Sequence, residues 1–446
     1  DGRLARARGG TPATGNLLHW LTDSSALLIE SDGELIRVVA DSDAAQPVAT
    51  QLHWRSMQGA RRLVIRAGKV FDGLGPGYRY AQDIVIVDGR IESMQTWSDP
   101  PPPGELIDAR GLTVIPGLID MAVDSHWTED GRTGRRWLAF GVTSIRERGR
   151  NIAEVRERRE SWASGRRPGP RVFIAAAPVK GHRSPPRTDL NAVVVPDGLD
   201  STRLRAFIDG AHEHGLPAIV NAPFPGLLLG ADEVPLTGSR QDFNRFVYGD
   251  VIELAGSVHL TSVSRLAPAG LPDLIRNDPL TEAPQYQALY RPAERAWYAG
   301  SWKHQAAAWG RALSVQRRTA GQSLFRAVGR GARIVTGSDA PVSPPGLGLH
   351  AELRLLAATG LQPFQVLGMA TREAARALGA DQNLGQLKPG MLADLVLIDG
   401  DPLKDIRNAV RVVATISRGH LYPAEALMQH NMSENLTPEL ARPTSN

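Results

Sequence analysis

The side chains able to do chemistry in this chain are few and scattered. Thr336-Gly337-Ser338-Asp339 closes an apolar run on a carboxylate, and Met121-Ala122-Val123-Asp124-Ser125-His126 closes another on a carboxylate and an imidazole. Together with Glu253, these oxygen and nitrogen donors could hold a hard cation such as magnesium or calcium. Asp339 could equally serve as a general base, or be a carboxylate kept for structure and neutralised by a cation, because an unpaired buried charge is strongly destabilising. Arg146, Lys180 and His182 are the candidate partners. His212 and His214 flank a helix end, where an imidazolium sits well against the macrodipole, and read as structural. The chain contains no Cys, which excludes disulfides, thiolate metal sites and a cysteine nucleophile.

Composition narrows the classes further. The 446 residues are 42% hydrophobic and 22% charged, with a net charge of +4 and a mean hydropathy of −0.22. Only five of the 51 basic residues are Lys, a skew that reads as genome composition. Nucleic-acid binding would need basic residues gathered on one face with aromatics between them, and no such cluster stands out. The densest charged run, from Arg146-Glu147-Arg148 to Arg156-Glu157-Arg158-Arg159-Glu160, alternates in sign and reads as a solvated helix face. No run approaches the roughly 18–20 apolar residues of a membrane span. The sequence starts at Asp1 without a signal-like segment, which fits a processed chain or the C-terminal part of a longer one.

These residues must be positioned by elements that the patterning reveals. Ala26–Glu30 and Leu35–Val39 around Ser31-Asp32-Gly33 form a hairpin. Leu63–Val70 and Asp83–Ile91 are strands, with Asp88-Gly89 as a tight-turn pair. Between about 116 and 384, apolar runs alternate with helical periodicity, as in βα units on a parallel sheet. The expected strands are 141–145, 171–175, 192–195, 218–220, 250–253 and 333–336. Ser201 is placed to cap a helix whose Leu204, Phe207, Ile208 and Ala211 share a face, ending at Gly215. Pro363 begins another helix, and Gly379 closes the one after Thr371. Strands return at Ala393–Ile398 and Val410–Ile416, before a polar tail. Tyr286, Tyr290, Trp297, Tyr298, Trp302 and Trp309 crowd one stretch, which suits a lid, a partner interface or a helical hairpin packed on the rest.

Several of these segments have a familiar form. Ile115-Pro116-Gly117-Leu118-Ile119-Asp120 resembles the strand-one motif of metal-dependent amidohydrolases such as imidazolonepropionase and prolidase-type enzymes. Gly141-Val142-Thr143-Ser144-Ile145-Arg146 is similar to their strand two, Gly169-Pro170-Arg171-Val172 to the entry of strand three, and Thr336-Gly337-Ser338-Asp339 to strand eight. Leu384-Gly385-Gln386-Leu387-Lys388-Pro389-Gly390, followed by Ala393-Asp394-Leu395-Val396, resembles the C-terminal signature. Gly346–Leu353 and Asp401–Arg407 are similar to the bacterial subgroup fused behind a TolB-type β-propeller, and the pattern of Trp20, Asp23-Ser24 and the first hairpin resembles the last propeller blade. The resemblance covers about residues 60–425.

It implies an α/β fold: a distorted (β/α)8 TIM barrel of the amidohydrolase type, a composite β-sandwich and an N-terminal propeller remnant. The expected division is 1–58 for the remnant, 59–115 with 385–425 for the sandwich, 116–384 for the barrel and 426–446 for a loose tail. It further implies one or two divalent metals held by His-x-His on strand one, a carboxylated Lys on strand four, a His on each of strands five and six, and an Asp on strand eight. At those places this chain has Ala122 and Asp124, Val194, Asn221 and Leu254, and only Asp339 remains. Methyl and aliphatic groups donate nothing to a metal, and what remains is not the imidazole-rich set a catalytic zinc requires.

The expectation is therefore a pseudoenzyme subunit or a binding and assembly protein, without a cofactor. Its site would keep Asp339 with His126, Arg146, Lys180, His182 and Glu253 as pocket polar residues. It would form a homo-oligomer, or a hetero-oligomer with a catalytically intact relative, and bind no nucleic acid. Membership of the propeller-fused subgroup implies a periplasmic or secreted location. The alternative is a hydrolase of carbon–nitrogen bonds working through a metal-poor site centred on Asp339, with zinc or magnesium.

Overall fold

Period-two burial and left-handed turns organise the strands of the computed structural model. It is described for residues 17–21, 25–31, 34–39, 45–48, 62–124, 132–149, 152–176, 190–221, 223–236 and 249–429. Strands β1 (Leu17–Trp20), β2 (Ala26–Ser31), β3 (Glu34–Val39) and β4 (Ala45–Val48) pair in order as an antiparallel meander. The expected hairpin is β2–β3, with Leu27 opposite Val38. Then come β5 (Arg62–Val70), β6 (Arg79–Val87), β7 (Arg90–Thr96) and β8 (Glu105–Pro116). Leu63, Ile65 and Ala67 alternate into the core of this sheet. Asp88 and Gly89 take φ of 48° and 75°, the two-residue turn whose twist matches that of the flanking strands.

The chain then alternates strand and helix, as its patterning requires. In order these are β9 (Leu118–Val123), α1 (Thr133–Ala139), β10 (Val142–Arg148), α2 (Ile152–Ala163), β11 (Arg171–Ala176) and β12 (Ala192–Val194). Next are α3 (Ser201–Glu213), β13 (Ala218–Ile219), α4 (Pro223–Leu228), α5 (Gly249–Ser257) and β14 (Thr261–Ser264). Helices α6 (Ala267–Leu274), α7 (Pro284–Leu289) and the 38-residue α8 (Pro292–Gly329) lead to β15 (Arg333–Thr336). After it come α9 (Leu347–Ala357), α10 (Pro363–Met369) and α11 (Arg372–Ala377).

Strands β13-β12-β11-β10-β9 form a parallel sheet in that order, and β14 and β15 a parallel pair. Isolated bridges Ile219↔Glu233, Glu233↔Thr261 and Val123↔Ala340 join the pair to both edges of the five strands, so the parallel sheet is curled. Strands β16 (Leu395–Ile398), β17 (Val412–Ser417) and β18 (His420–Pro423) precede α12 (Ala424–Met428). They join the earlier segment in a seven-stranded sheet of order β18-β17-β16-β8-β5-β6-β7, because β8 is long enough to pair β5 along one stretch and β16 along Thr113–Pro116.

Two local expectations need correction. Residues 250–253, expected as a strand, lie in α5, where Val251, Ile252, Ala255 and Gly256 are buried on one face while Glu253 and Leu254 are exposed. A short apolar run carries no period of its own, and here the helical spacing decides. The cap of α3 is Asp200, whose carboxylate accepts from the Arg203 backbone N–H at 2.9 Å, while Ser201 is the first helical residue. The other markers behave as read: Leu204, Ile208 and Ala211 are buried, Pro363 opens α10, and Gly379 takes φ 63° after α11.

The aromatic stretch belongs largely to packing. Tyr286, Tyr290, Tyr298 and Trp302 are buried, Tyr298 stacks on Trp302 at 5.8 Å, and Arg136 lies 4.3 Å over the Tyr290 ring. Trp297 is strongly exposed, at 62%, and the side chain of Trp309 lies outside those described.

Candidate functional site

Alternation along β10 sorts its charged end. Glu147 faces outward to a buried ion pair with Arg158 of α2, while Arg146 and Arg148 face the cavity at the C-terminal ends of the parallel strands. The reading of this run as a solvated helix face is thereby overturned for 146–148. These residues are strand, and Arg146 and Glu147 are only 3% and 1% exposed. Arg146 donates through Nε to the Met121 carbonyl at 3.0 Å, and through Nη1 and Nη2 to the two Glu233 oxygens at 2.6 and 2.7 Å. Each Glu233 oxygen thus accepts from one arm of a single guanidinium fork.

Beside this pair stands a second cluster. Asp339 Oδ1 lies 3.7 Å from Arg148 Nη2 and 3.8 Å from Arg265 Nη1, contacts longer than a hydrogen bond. Arg148 Nε is buried without a hydrogen-bond partner. Burial, with Arg265 and Arg146 beside it, lowers the Arg148 pKa. Asp339 holds a left-handed backbone, φ 56°, which an Asp tolerates better than most residues.

Behind the cluster two carboxyls are fully buried. Asp120 accepts from the backbone N–H of Ser338 at 2.9 Å and of Ala122 at 3.2 Å, and its Oδ2 has no partner. Burial pushes its pKa up to about 7, and Asp339 adds to the rise. Glu352 accepts from Ser264 Oγ and from the Ala267 N–H, and burial likewise pushes it up to about 7. His350 donates from Nε2 to the Phe140 carbonyl at 2.8 Å, bracing α9 against the end of α1, and burial lowers it to about 4.

Of the residues singled out from sequence, Ala122, Arg146 and Asn221 line one cavity, with Asp339 in ionic contact with two of its arginines. Asn221 also donates to Asp197 at 3.2 Å. Asp124 follows β9, its N–H bonded to the Ala340 carbonyl at 2.8 Å, and Val194 ends β12. Glu253 and Leu254 are not brought to the cavity. Glu253 lies on the outside of α5, 61% exposed, paired with Arg330 at 3.0 Å. Glu233, bridged between β13 and β14, lines the cavity instead. His126, Lys180 and His182 lie outside the described residues. Sequence reasoning missed Arg148, Glu233 and Arg265 as pocket residues; Arg148 closes strand β10 and Arg265 directly follows strand β14.

Residues 311–422 match the model of the amidohydrolase family. The structure superposes on a Xaa-Pro dipeptidase with a TM-score of 0.61 at 19% identity, covering 81% of this chain and 100% of that one. Molinate hydrolase gives 0.61 at 16%, covering 84% and 99%, and a putative prolidase from Bifidobacterium longum 0.58 at 22%, covering 83% and 98%. This is an amidohydrolase-type fold. A curated relative, the 5-methylthioadenosine/S-adenosylhomocysteine deaminase of Teredinibacter turnerae, is 29% identical over 102 residues, 20% of this chain. The chain spans about a quarter of that relative's length, 23%.

The resemblance of the sequence motifs implies metal ligands at this end of the parallel strands. Among the described residues no three of His, Cys, Asp and Glu gather in a metal-binding group. Glu233 is occupied by Arg146, and Asp339 is shared by Arg148 and Arg265. At roughly 5 Å a dication and a guanidinium repel by about 7 kcal/mol at an effective dielectric constant near 20. Among the described residues the mouth thus offers arginine-paired carboxylates and no group of three metal donors.

Proposed function

We propose that this chain is a pseudoenzyme of amidohydrolase type, a binding or assembly protein rather than a hydrolase. The observation that carries this reading is that Glu233 is hydrogen-bonded by Arg146, and that Asp339 faces Arg148 and Arg265 at ionic distance. The reading takes the curled sheet as an eight-place (β/α)8 barrel whose sixth place is the single bridge at Glu233. It takes the meander β1–β4 as a blade left from a TolB-type propeller. On the same reading the chain works in the periplasm or outside the cell, as an oligomer of itself or with an intact relative. A framework kept without its chemistry is retained for its surfaces.

Elemental analysis of protein purified without chelator, together with its native mass, tests the proposal. Far less than one transition metal per chain and a stable oligomer are expected. Near-stoichiometric zinc, manganese or iron would overturn it in favour of a hydrolase of carbon–nitrogen bonds, the chemistry that the names of its structural neighbours favour. A strictly monomeric mass at micromolar concentration would remove the assembly role.

A further inference from the structure

We propose that the arginine cluster at the mouth of the curled sheet is a binding site for a compact oxyanion, the carboxylate or phosphate end-group of a small ligand, held by Arg148 and Arg265. In the ion pairs of this site three guanidiniums, Arg146, Arg148 and Arg265, meet two carboxylates, Glu233 and Asp339. Arg146 and Glu233 satisfy each other with two hydrogen bonds of 2.6 and 2.7 Å. Among the described residues, that leaves two guanidiniums for one carboxylate oxygen, at 3.7 and 3.8 Å, where neither makes a hydrogen bond to it.

The deficit is one of both charge and donors. Arg148 Nε is buried with no acceptor, and a buried donor left unmade is destabilising. Asp120, behind Asp339, cancels only part of the excess, because burial holds its pKa at about 7. A planar guanidinium fork is shaped for two oxygens of one carboxylate or phosphate, which a spherical halide cannot span.

The cavity sets the size of the ligand. Its walls are apolar at Ala122, Ile219 and Val263, and it has room for about one water-sized group. One oxygen or one small end-group enters, and the body of the ligand stays toward the opening. Arg148 and Arg265 reach that opening, being 20% and 21% exposed. Fixed guanidinium charge thus stands where relatives of this fold would place metal charge, so the inference rests on the metal-free reading above.

Thermal melts of the full chain, with its metal content measured on the same sample, test the site. Acetate or inorganic phosphate would replace chloride at constant ionic strength. A saturable rise in Tm of about 2–4 °C is expected with one or both anions. A response to acetate alone assigns a carboxylate ligand, and a response to phosphate alone a phosphate ligand. Arg265→Gln should abolish the rise, and so should Arg148→Gln. Arg330→Gln, on the outer surface, should keep it. No saturable response in a metal-free sample, or the same response in Arg265→Gln, would overturn the anion site and leave the metal-free reading standing. Bound metal would overturn that reading whatever the anions do.

Discussion

Arg146 and Glu233 join strand β10 to the bridge between β13 and β14 by two parallel hydrogen bonds, 2.6 and 2.7 Å long, and both residues are buried. The pair therefore ties β10 to that bridge across the curled sheet and engages the carboxylate that the bridge contributes. Breaking such a pair on one side strands a charge in a poorly solvated place, at a cost of about 3–5 kcal/mol.

Glu233→Gln and Arg146→Gln should each lower stability by about that amount, a large share of the roughly 5–15 kcal/mol of a typical domain. The double change Arg146→Met with Glu233→Leu should cost less than the two single changes added together, since no charge is then left alone. Urea or thermal melts of the three variants measure this. Single variants that melt with the wild type would show that the pair contributes nothing.

Asp339→Asn isolates charge from backbone. Asn accepts the left-handed φ of 56° as readily as Asp, so the loss is that of the carboxylate facing Arg148 and Arg265. With Asp339 26% exposed, a destabilisation of about 1–3 kcal/mol is expected, below that of a fully buried pair. Asp339→Ala should cost a further 1 kcal/mol or so for the backbone. No hydrolytic rate should change. An unchanged melt with loss of turnover on an amide, ester or lactam would reverse the proposed function.

The buried carboxyls predict an unusual pH profile. Asp120 and Glu352 are raised to about 7 in the folded chain, against about 4 when unfolded. Their stabilising contribution is complete below pH about 4 and is lost as pH rises through about 7. His350, lowered to about 4, works the other way: its contribution is present above pH about 6.5 and is lost as pH falls toward 4.

Asp120→Asn removes one of the two falling contributions. The variant should gain on the wild type as pH rises from 4 to 8, by on the order of 3 kcal/mol in all. Melts at several pH values check this, and a constant difference between variant and wild type would refute it.

Gly117 leaves no space for a side chain at the start of β9. A Cβ there would lie 2.1 Å from Thr143 Oγ1 and 2.6 Å from its methyl group, with Thr143 buried. Gly117→Ala should cost about 1–3 kcal/mol by overpacking. Adding Thr143→Ala should restore part of the loss, so the two changes are non-additive in a double-mutant cycle.

How much of this was legible in the sequence depends on the range of the interaction. Local rules decided the Asp88-Gly89 turn, whose two positive φ angles suit those residues, and the buried face of α3, whose spacing follows the helical period. Motif order along the chain was enough to anticipate most of the parallel strands. Range also explains what stayed hidden. Val251-Ile252 is too short an apolar pair to declare its period, so its helix is decided by what it packs against. Arg146, Glu147 and Arg148 look alike in sequence, yet strand alternation sends Glu147 to Arg158 and the two arginines to the cavity. Glu233, Arg265 and Asp339 come from separate segments, and only the curl of the sheet brings their charges within ionic reach of β10. The identity of each side chain was written in the chain; which charge faces which depends on long-range strand pairing, and that only the tertiary structure decides.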